Sequence, residues 1–143
     1  MSDELKKFKY EVLTPNTGGS VNISLLFKVP VTLATVSVKG DATVWLTANV
    51  GWNVVTNGTT FDHVDVLFRI WRGDQLTGTT IYTAADSAQA YPDDHFAVTQ
   101  LAHVDSPDDD DKIVYTLTGE LLFNGQSSAS VIGPITFTAA VID

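Results

Sequence analysis

At 143 residues, with 44% hydrophobic and 17% charged side chains, the chain is long enough for one domain with a real core and too apolar for disorder. A formal net charge of −9 leaves no basic stripe to displace counterions from phosphate, which argues against nucleic acid or an anionic membrane surface as a partner. Cysteine is absent, so disulfides, thiolate metal sites and cysteine nucleophiles are excluded.

The chain starts MSDELKKFKY, with no apolar run of the signal-peptide kind, and no segment approaches the roughly 18 consecutive apolar residues of a membrane helix. Residues 6–13 (KKFKYEVL) alternate Phe8, Tyr10 and Val12 with Lys7, Lys9 and Glu11, and PNTGGS follows as a joint. Residues 1–18 therefore read as an N-terminal strand or arm with a flexible joint, and 19–143 as a single β-sandwich domain. The first strand either edges that sandwich or adds itself to the sheet of a neighbouring subunit, since an open edge is a template for strand addition.

Period-two alternation continues along the chain. In TVWLTANVGWNV, residues 43–54, Val44, Leu46, Ala48, Val50, Trp52 and Val54 share one face and Trp45 lies on the other. VDVLFRIWR puts Val64, Val66, Phe68 and Ile70 inward and Trp71 outward. TAADSAQAY, residues 83–91, is the one segment that suits a single helical turn. HFAVTQLAHV is expected to bury Phe96, Val98, Ala102 and Val104 and to expose His95, Thr99 and His103. IVYTLTGELLF aligns Ile113, Tyr115, Leu117, Leu121 and Phe123, and ASVIGPITFTAAV aligns Ala129, Val131, Ile135, Phe137, Ala139 and Val141. Clusters of Gly, Asn, Asp and Pro separate these runs, as hairpin connections require. The reading is all-β, an antiparallel two-sheet sandwich or jelly roll of roughly eight to ten strands.

Candidate chemistry is sparse. Five aspartates, Asp105, Asp108, Asp109, Asp110 and Asp111, fall within seven positions. Clustered carboxylates can hold calcium, but neighbouring residues of an extended chain point to opposite sides, and the EF-hand order is missing. The run reads as a solvated turn, with calcium as the alternative and no other cofactor expected. His95 and His103 sit roughly 26 Å apart on one strand at about 3.3 Å per residue, too far to share a zinc ion with each other. His63 has Asp62 and Asp65 close by, which is ordinary for a polar turn. Arg72-Gly73-Asp74 spells an integrin-type tripeptide but also good hairpin chemistry. Asn22-Ile23-Ser24 and Asn57-Gly58-Thr59 match the glycosylation pattern, which matters only in a secretory context. No nucleophile elbow, P-loop or dinucleotide fingerprint occurs, and no enzymatic activity is expected. Trp45 and Trp71, each opposite an apolar face, call for a further layer, a loop or another subunit to cover them.

ATVWLTANVGWN, VDVLFRIWRGDQ, the strand ending LAHVD, IVYTLTGEL and ASVIGPITFTAAV together resemble the exosporium protein C group of Bacillus-type spores over roughly residues 31–141. The resemblance implies a jelly roll of the C1q and tumour-necrosis-factor class, a class whose domains commonly trimerise through an apolar face. It also implies a spore-surface structural protein made in the mother-cell cytoplasm, and it would account for the missing signal peptide. Partners are then other copies of the chain, as a trimer or a fibre, and other spore-coat or exosporium proteins. Phe8, Tyr10 and Val12, with Trp45 and Trp71, are the residues expected to carry self-association. The rival expectation is a carbohydrate- or receptor-binding β-sandwich, such as a viral fibre tip.

Overall fold

The computed structural model describes residues 5–13, 22–39, 43–56, 63–74, 77–89, 95–107, 112–123 and 127–142. Within them lie nine strands: β1 (Leu5–Leu13), β2 (Ile23–Ser24), β3 (Val31–Lys39), β4 (Thr43–Val55), β5 (His63–Arg72), β6 (Thr79–Gln89), β7 (His95–Asp105), β8 (Lys112–Phe123) and β9 (Ser128–Ile142). They form two antiparallel sheets. One runs β1-β9-β4-β7, with the short β2 also on β9, and the other runs β3-β8-β5-β6. Consecutive strands mostly fall in different sheets, so the core closes only when the two sheets meet.

The alternation of the sequence builds that core. Val44, Leu46, Val50, Trp52 and Val54 of β4, Val64, Val66, Phe68 and Ile70 of β5, and Val131, Ile135 and Phe137 of β9 are all completely buried. Because side chains of directly paired residues share a face, one buried strand fixes the inward face of its neighbour. β4 pairs with β9 as Leu46 with Ala139, Ala48 with Phe137 and Val50 with Ile135, all of them in the core. Between Val50 and Trp52 the register shifts by a bulge. There a Cβ on Gly51 would lie 2.2 Å from the Gly133 carbonyl oxygen, so the bulge has room for glycine alone.

Two expectations are corrected. TAADSAQAY gives no helical turn: up to Gln89 it belongs to β6, paired with β5 from Arg72–Thr79 to His63–Gln89. Ala, Asp and Ser have little intrinsic strand preference, but the hydrogen-bonding edge of β5 decides the matter. β7 is a strand as expected, but with its faces exchanged. Register with β4 sets Leu101 opposite Ala48, Thr99 opposite Val50 and His103 opposite Leu46, so the odd positions face inward. Leu101, Thr99 and Asp105 are buried, whereas Phe96, Val98, Ala102 and Val104 are exposed.

Polar groups are accepted on the inner face of β7 because each finds a partner there. The buried Trp52 Nε1 donates to Thr99 Oγ1 at 2.9 Å, and Thr99 Oγ1 donates to Asp86 Oδ2 of β6 at 2.6 Å. His103 stacks on Tyr82 of β6, with ring centroids 5.1 Å apart. Asp105 accepts from Arg72 of β5 and Tyr115 of β8. Thr99 and His103 thus tie the β7 edge of one sheet to β6 of the other, and Asp105 ties it to β5 and β8. A buried polar group is tolerable when it is hydrogen-bonded, and the bonds of Thr99 to Asp86 and of Asp105 to Arg72 and Tyr115 also link the two layers.

Candidate functional site

The exchanged face of β7 creates an exposed apolar surface that continues onto β4. On the outer side of the β1-β9-β4-β7 sheet, Trp45 is 49% exposed, Phe96 57%, Val98 49% and Val104 56%. Trp45 pairs directly with Val104, Gly51 with Val98 and Asn53 with Phe96, so these residues share one continuous face of two adjacent strands. Between the two apolar ends lies a polar belt whose members satisfy one another. Asn49 Nδ2 donates to Thr136 Oγ1 at 3.1 Å, and the Thr47 and Thr138 hydroxyls are hydrogen-bonded. An apolar area of this kind, rimmed and divided by polar groups, marks a protein contact more often than bare solvent exposure.

Four of the five residues expected to carry self-association come together in the register of this sheet. β1 pairs with β9 as Phe8 with Ala140, Tyr10 with Thr138 and Val12 with Thr136. β9 in turn pairs Ala140 with Trp45, Thr138 with Thr47 and Thr136 with Asn49. One row across the sheet therefore reads Phe8, Ala140, Trp45, Val104. Trp71 stands apart. It lies on the outer side of the other sheet, half-buried, and its Nε1 donates to Thr118 Oγ1 at 2.9 Å. Beside it Arg69 Nε meets Glu120 Oε1 at 2.9 Å. Trp71 thus has a partner within the chain, as Trp45 does not among the described residues.

Phe96, Val98 and Val104 are the surface residues that sequence reasoning missed. Alternation shows that two faces exist but not which of them meets the core when both carry apolar residues. The deciding information is the register with β4, which sets Val104 beside Trp45 and is a tertiary pairing that alternation within β7 does not contain.

The aspartate run separates into two parts. Asp105 ends β7, is buried, and accepts from Arg72 Nε at 3.0 Å, from Arg72 Nη2 and from Tyr115 Oη at 2.7 Å. Burial pushes its carboxyl up, but the hydrogen bonds from Arg72 and Tyr115, together with the guanidinium charge, outweigh this and hold it below its ordinary value. The same bond to Asp105 raises Arg72, and burial followed by the bond to Asp105 raises the Tyr115 hydroxyl. Asp105 is therefore committed to an ion pair between the sheets. Asp108, Asp109, Asp110 and Asp111 lie outside the described residues. Among the described residues no three His, Asp or Glu side chains come together as a metal ion would require.

The Arg72-Gly73-Asp74 tripeptide is absorbed by the β5–β6 connection. Arg72 holds Asp105, Gly73 has φ +96°, and Asp74 Oδ1 accepts from the Thr77 N–H at 2.7 Å while its carbonyl accepts from Gly78. All three residues have structural work in a turn, with glycine at the positive φ that other residues avoid.

Neither a family model nor a curated protein sequence matches the chain. Among solved structures it is similar to Eiger TNF from S. frugiperda, at a TM-score of 0.57 and 11% identity, over 95% of this chain and 93% of that one. The fold is a TNF-like jelly roll. The likeness extends over nearly the whole of both chains, so both sheets take part in it. At this identity it speaks for architecture, and the surface residues of this chain must be read on their own chemistry.

Proposed function

We propose that the chain is a non-enzymatic structural subunit that self-associates through the outer face of the β1-β9-β4-β7 sheet. The observation that carries the reading is the exposed apolar set of Trp45, Phe96, Val98 and Val104 on adjacent strands. Burying such residues between copies removes apolar area from water at about 25 cal/mol per Å², and Trp and Phe supply the largest share. The jelly-roll fold supports a closed trimer, since domains of this class commonly assemble so. The resemblance of the β4, β5, β7, β8 and β9 segments to exosporium proteins supports a place on the bacterial spore surface, beside other exosporium or coat proteins.

A second contribution comes from β1. It holds the β9 edge in register from Leu5 to Leu13, and the same edge of a neighbouring copy offers an identical partner. β1 exchanged between copies would add main-chain hydrogen bonds to the apolar contact and lead to a fibre where face contact alone leads to a closed particle.

Trp45→Asp and Tyr10→Asp test the reading. Sedimentation velocity of the purified chain is expected to show large assemblies for wild type and folded species no larger than a dimer for Trp45→Asp. Tyr10→Asp is expected to weaken assembly with the circular dichroism spectrum unchanged. Assemblies of wild-type size from Trp45→Asp, or saturable glycan binding that this substitution abolishes, would overturn the proposal, the latter in favour of a carbohydrate-binding module.

A further inference from the structure

We infer that β7 pairs edge to edge with β7 of a second copy, antiparallel about a two-fold axis at Gln100. The inference deepens the self-association reading and rests on it, since it names one mode by which two copies meet.

Among the described residues five strands lie at sheet edges, namely β1, the two-residue β2, β3, β6 and β7, and β2 is too short to offer a template. Exposed edges are normally blunted by lysine, proline, a bulge or an inward-pointing charge. β1 carries Lys6, Lys7 and Lys9. β3 is preceded by Pro30, is broken by a register shift between Thr32 and Ala34, and ends on Lys39. β6 turns Asp86 inward to Thr99. β7 has none of these devices between Phe96 and Val104. Its sequence there contains no Lys, Arg, Asp, Glu or Pro, and its pairing with β4 runs from Val54–His95 to Val44–Asp105 without a shift. Among the described residues its free side makes no main-chain hydrogen bond. The contacts from β6 reach it through Thr99 and His103, on the inner face, and leave the outer face open.

The occupant is a second copy because the strand complements itself. About Gln100, antiparallel pairing sets Phe96 against Val104 of the second copy, Val98 against Ala102 and Gln100 against Gln100, all on the outer face, where these five residues are exposed. Apolar residues meet apolar residues, and the two central amides can hydrogen-bond to each other. A chain of net charge −9 repels its own copies, and this uncharged stretch lets them approach without placing like charges opposite one another. The pairing also joins the two apolar faces side by side into one surface. The contact is isologous, so by itself it closes a dimer, and combined with a separate contact through the face it links copies into an extended layer.

Single-cysteine variants test this cleanly, because the chain has no cysteine of its own. Directly opposed residues of an antiparallel pair lie about 4.5–5.5 Å apart at Cα, within the roughly 4.4–6.8 Å that a disulfide spans. Gln100→Cys, mildly oxidised, is expected to give a covalent dimer at least tenfold faster than Phe96→Cys, which would face residue 104 of the other copy, or Thr35→Cys on the β3 edge. The double variant Phe96→Cys with Val104→Cys is expected to cross-link as Gln100→Cys does, and Val98→Pro to abolish cross-linking of Gln100→Cys. Equal rates for Gln100→Cys and Thr35→Cys, in protein that still assembles by light scattering, would overturn the β7 pairing and leave self-association standing. A wild-type chain that is monomeric at all concentrations would overturn both.

Discussion

Replacing Asp105 with alanine removes the carboxylate that joins β7 to β5 and β8 across the sandwich. Tyr115 is completely buried and its hydroxyl donates to Asp105, so the variant strands a buried donor, at a cost of about 1–3 kcal/mol. The Arg72 side chain is 39% exposed and can recover water, so the loss of its pair adds only about 1 kcal/mol. The expected total is about 2–4 kcal/mol. For a chain of this size that lowers Tm by about 6–12 °C, at about 3 °C per kcal/mol. Asp105→Asn keeps an acceptor for Tyr115 and loses the charge, and should cost about 1 kcal/mol.

The pH dependence separates the two contributions. Asp105 has its carboxyl held below the ordinary 3.8 in the fold. Its stabilisation is therefore present above that value and is lost as pH falls through the lower value of the folded state. The gap between wild type and Asp105→Asn in urea denaturation should be constant at neutral pH and should close on acidification below about pH 4. Tyr115 acts at the other end. Its hydroxyl is raised above the ordinary 10.0, so its contribution is present below that value and lost as pH rises above it, and Tyr115→Phe should remove that alkaline loss. A cost for Asp105→Ala under about 1 kcal/mol, or a wild-type-to-Asn gap that persists unchanged at low pH, would refute the account of a charge-assisted bridge between the sheets.

Three further outcomes follow from the packing. Gly51→Ala places a Cβ 2.2 Å from the Gly133 carbonyl oxygen and should destabilise the fold by about 2 kcal/mol or more, read by thermal unfolding. Leu101→Ala should cost about 2–4 kcal/mol and Val98→Ser less than about 0.5 kcal/mol in a monomer-forming background, and the reverse order would restore the even-numbered face of β7 to the core. Millimolar calcium should leave Tm unchanged, with Asp105 already paired. A rise that Asp109→Asn with Asp110→Asn abolishes would assign the ion to the acidic turn.

Alternation made the sandwich legible wherever one face of a strand was apolar and the other was not. In β5, Val64, Val66, Phe68 and Ile70 stand against Asp65 and Arg69, and in β9 the odd positions from Ala129 to Val141 are apolar throughout. β6 was harder to recognise because Ala84, Ala85 and Ala88 suit a helix as well as a strand, and only the edge of β5, a tertiary partner, selects between them. The Asp105 bridge was hidden for a different reason. Asp105 opens an aspartate run that reads as solvated, and its partners Arg72 and Tyr115 come from other strands.

β7 is the instructive failure, because hydrophobicity alone chooses the face with Phe96, Val98 and Val104 as core. The fold instead turns Thr99, His103 and Asp105 inward, where Trp52, Tyr82, Arg72 and Tyr115 receive them, and Leu101 is the sole large apolar residue of β7 on that side. A strand that spends its polar residues on inter-sheet bonds and its apolar ones on the outside has two partners to satisfy. The first is the opposite sheet, met within the chain. The second, in the proposed self-association, is another copy that covers Phe96, Val98 and Val104, and the register that sets Trp45 beside Val104 extends that contact to β4. The residues that defeat the simple alternation rule are thus the residues on which the proposed self-association rests, and the rule misreads them because it takes the core of the chain as the only place for apolar side chains.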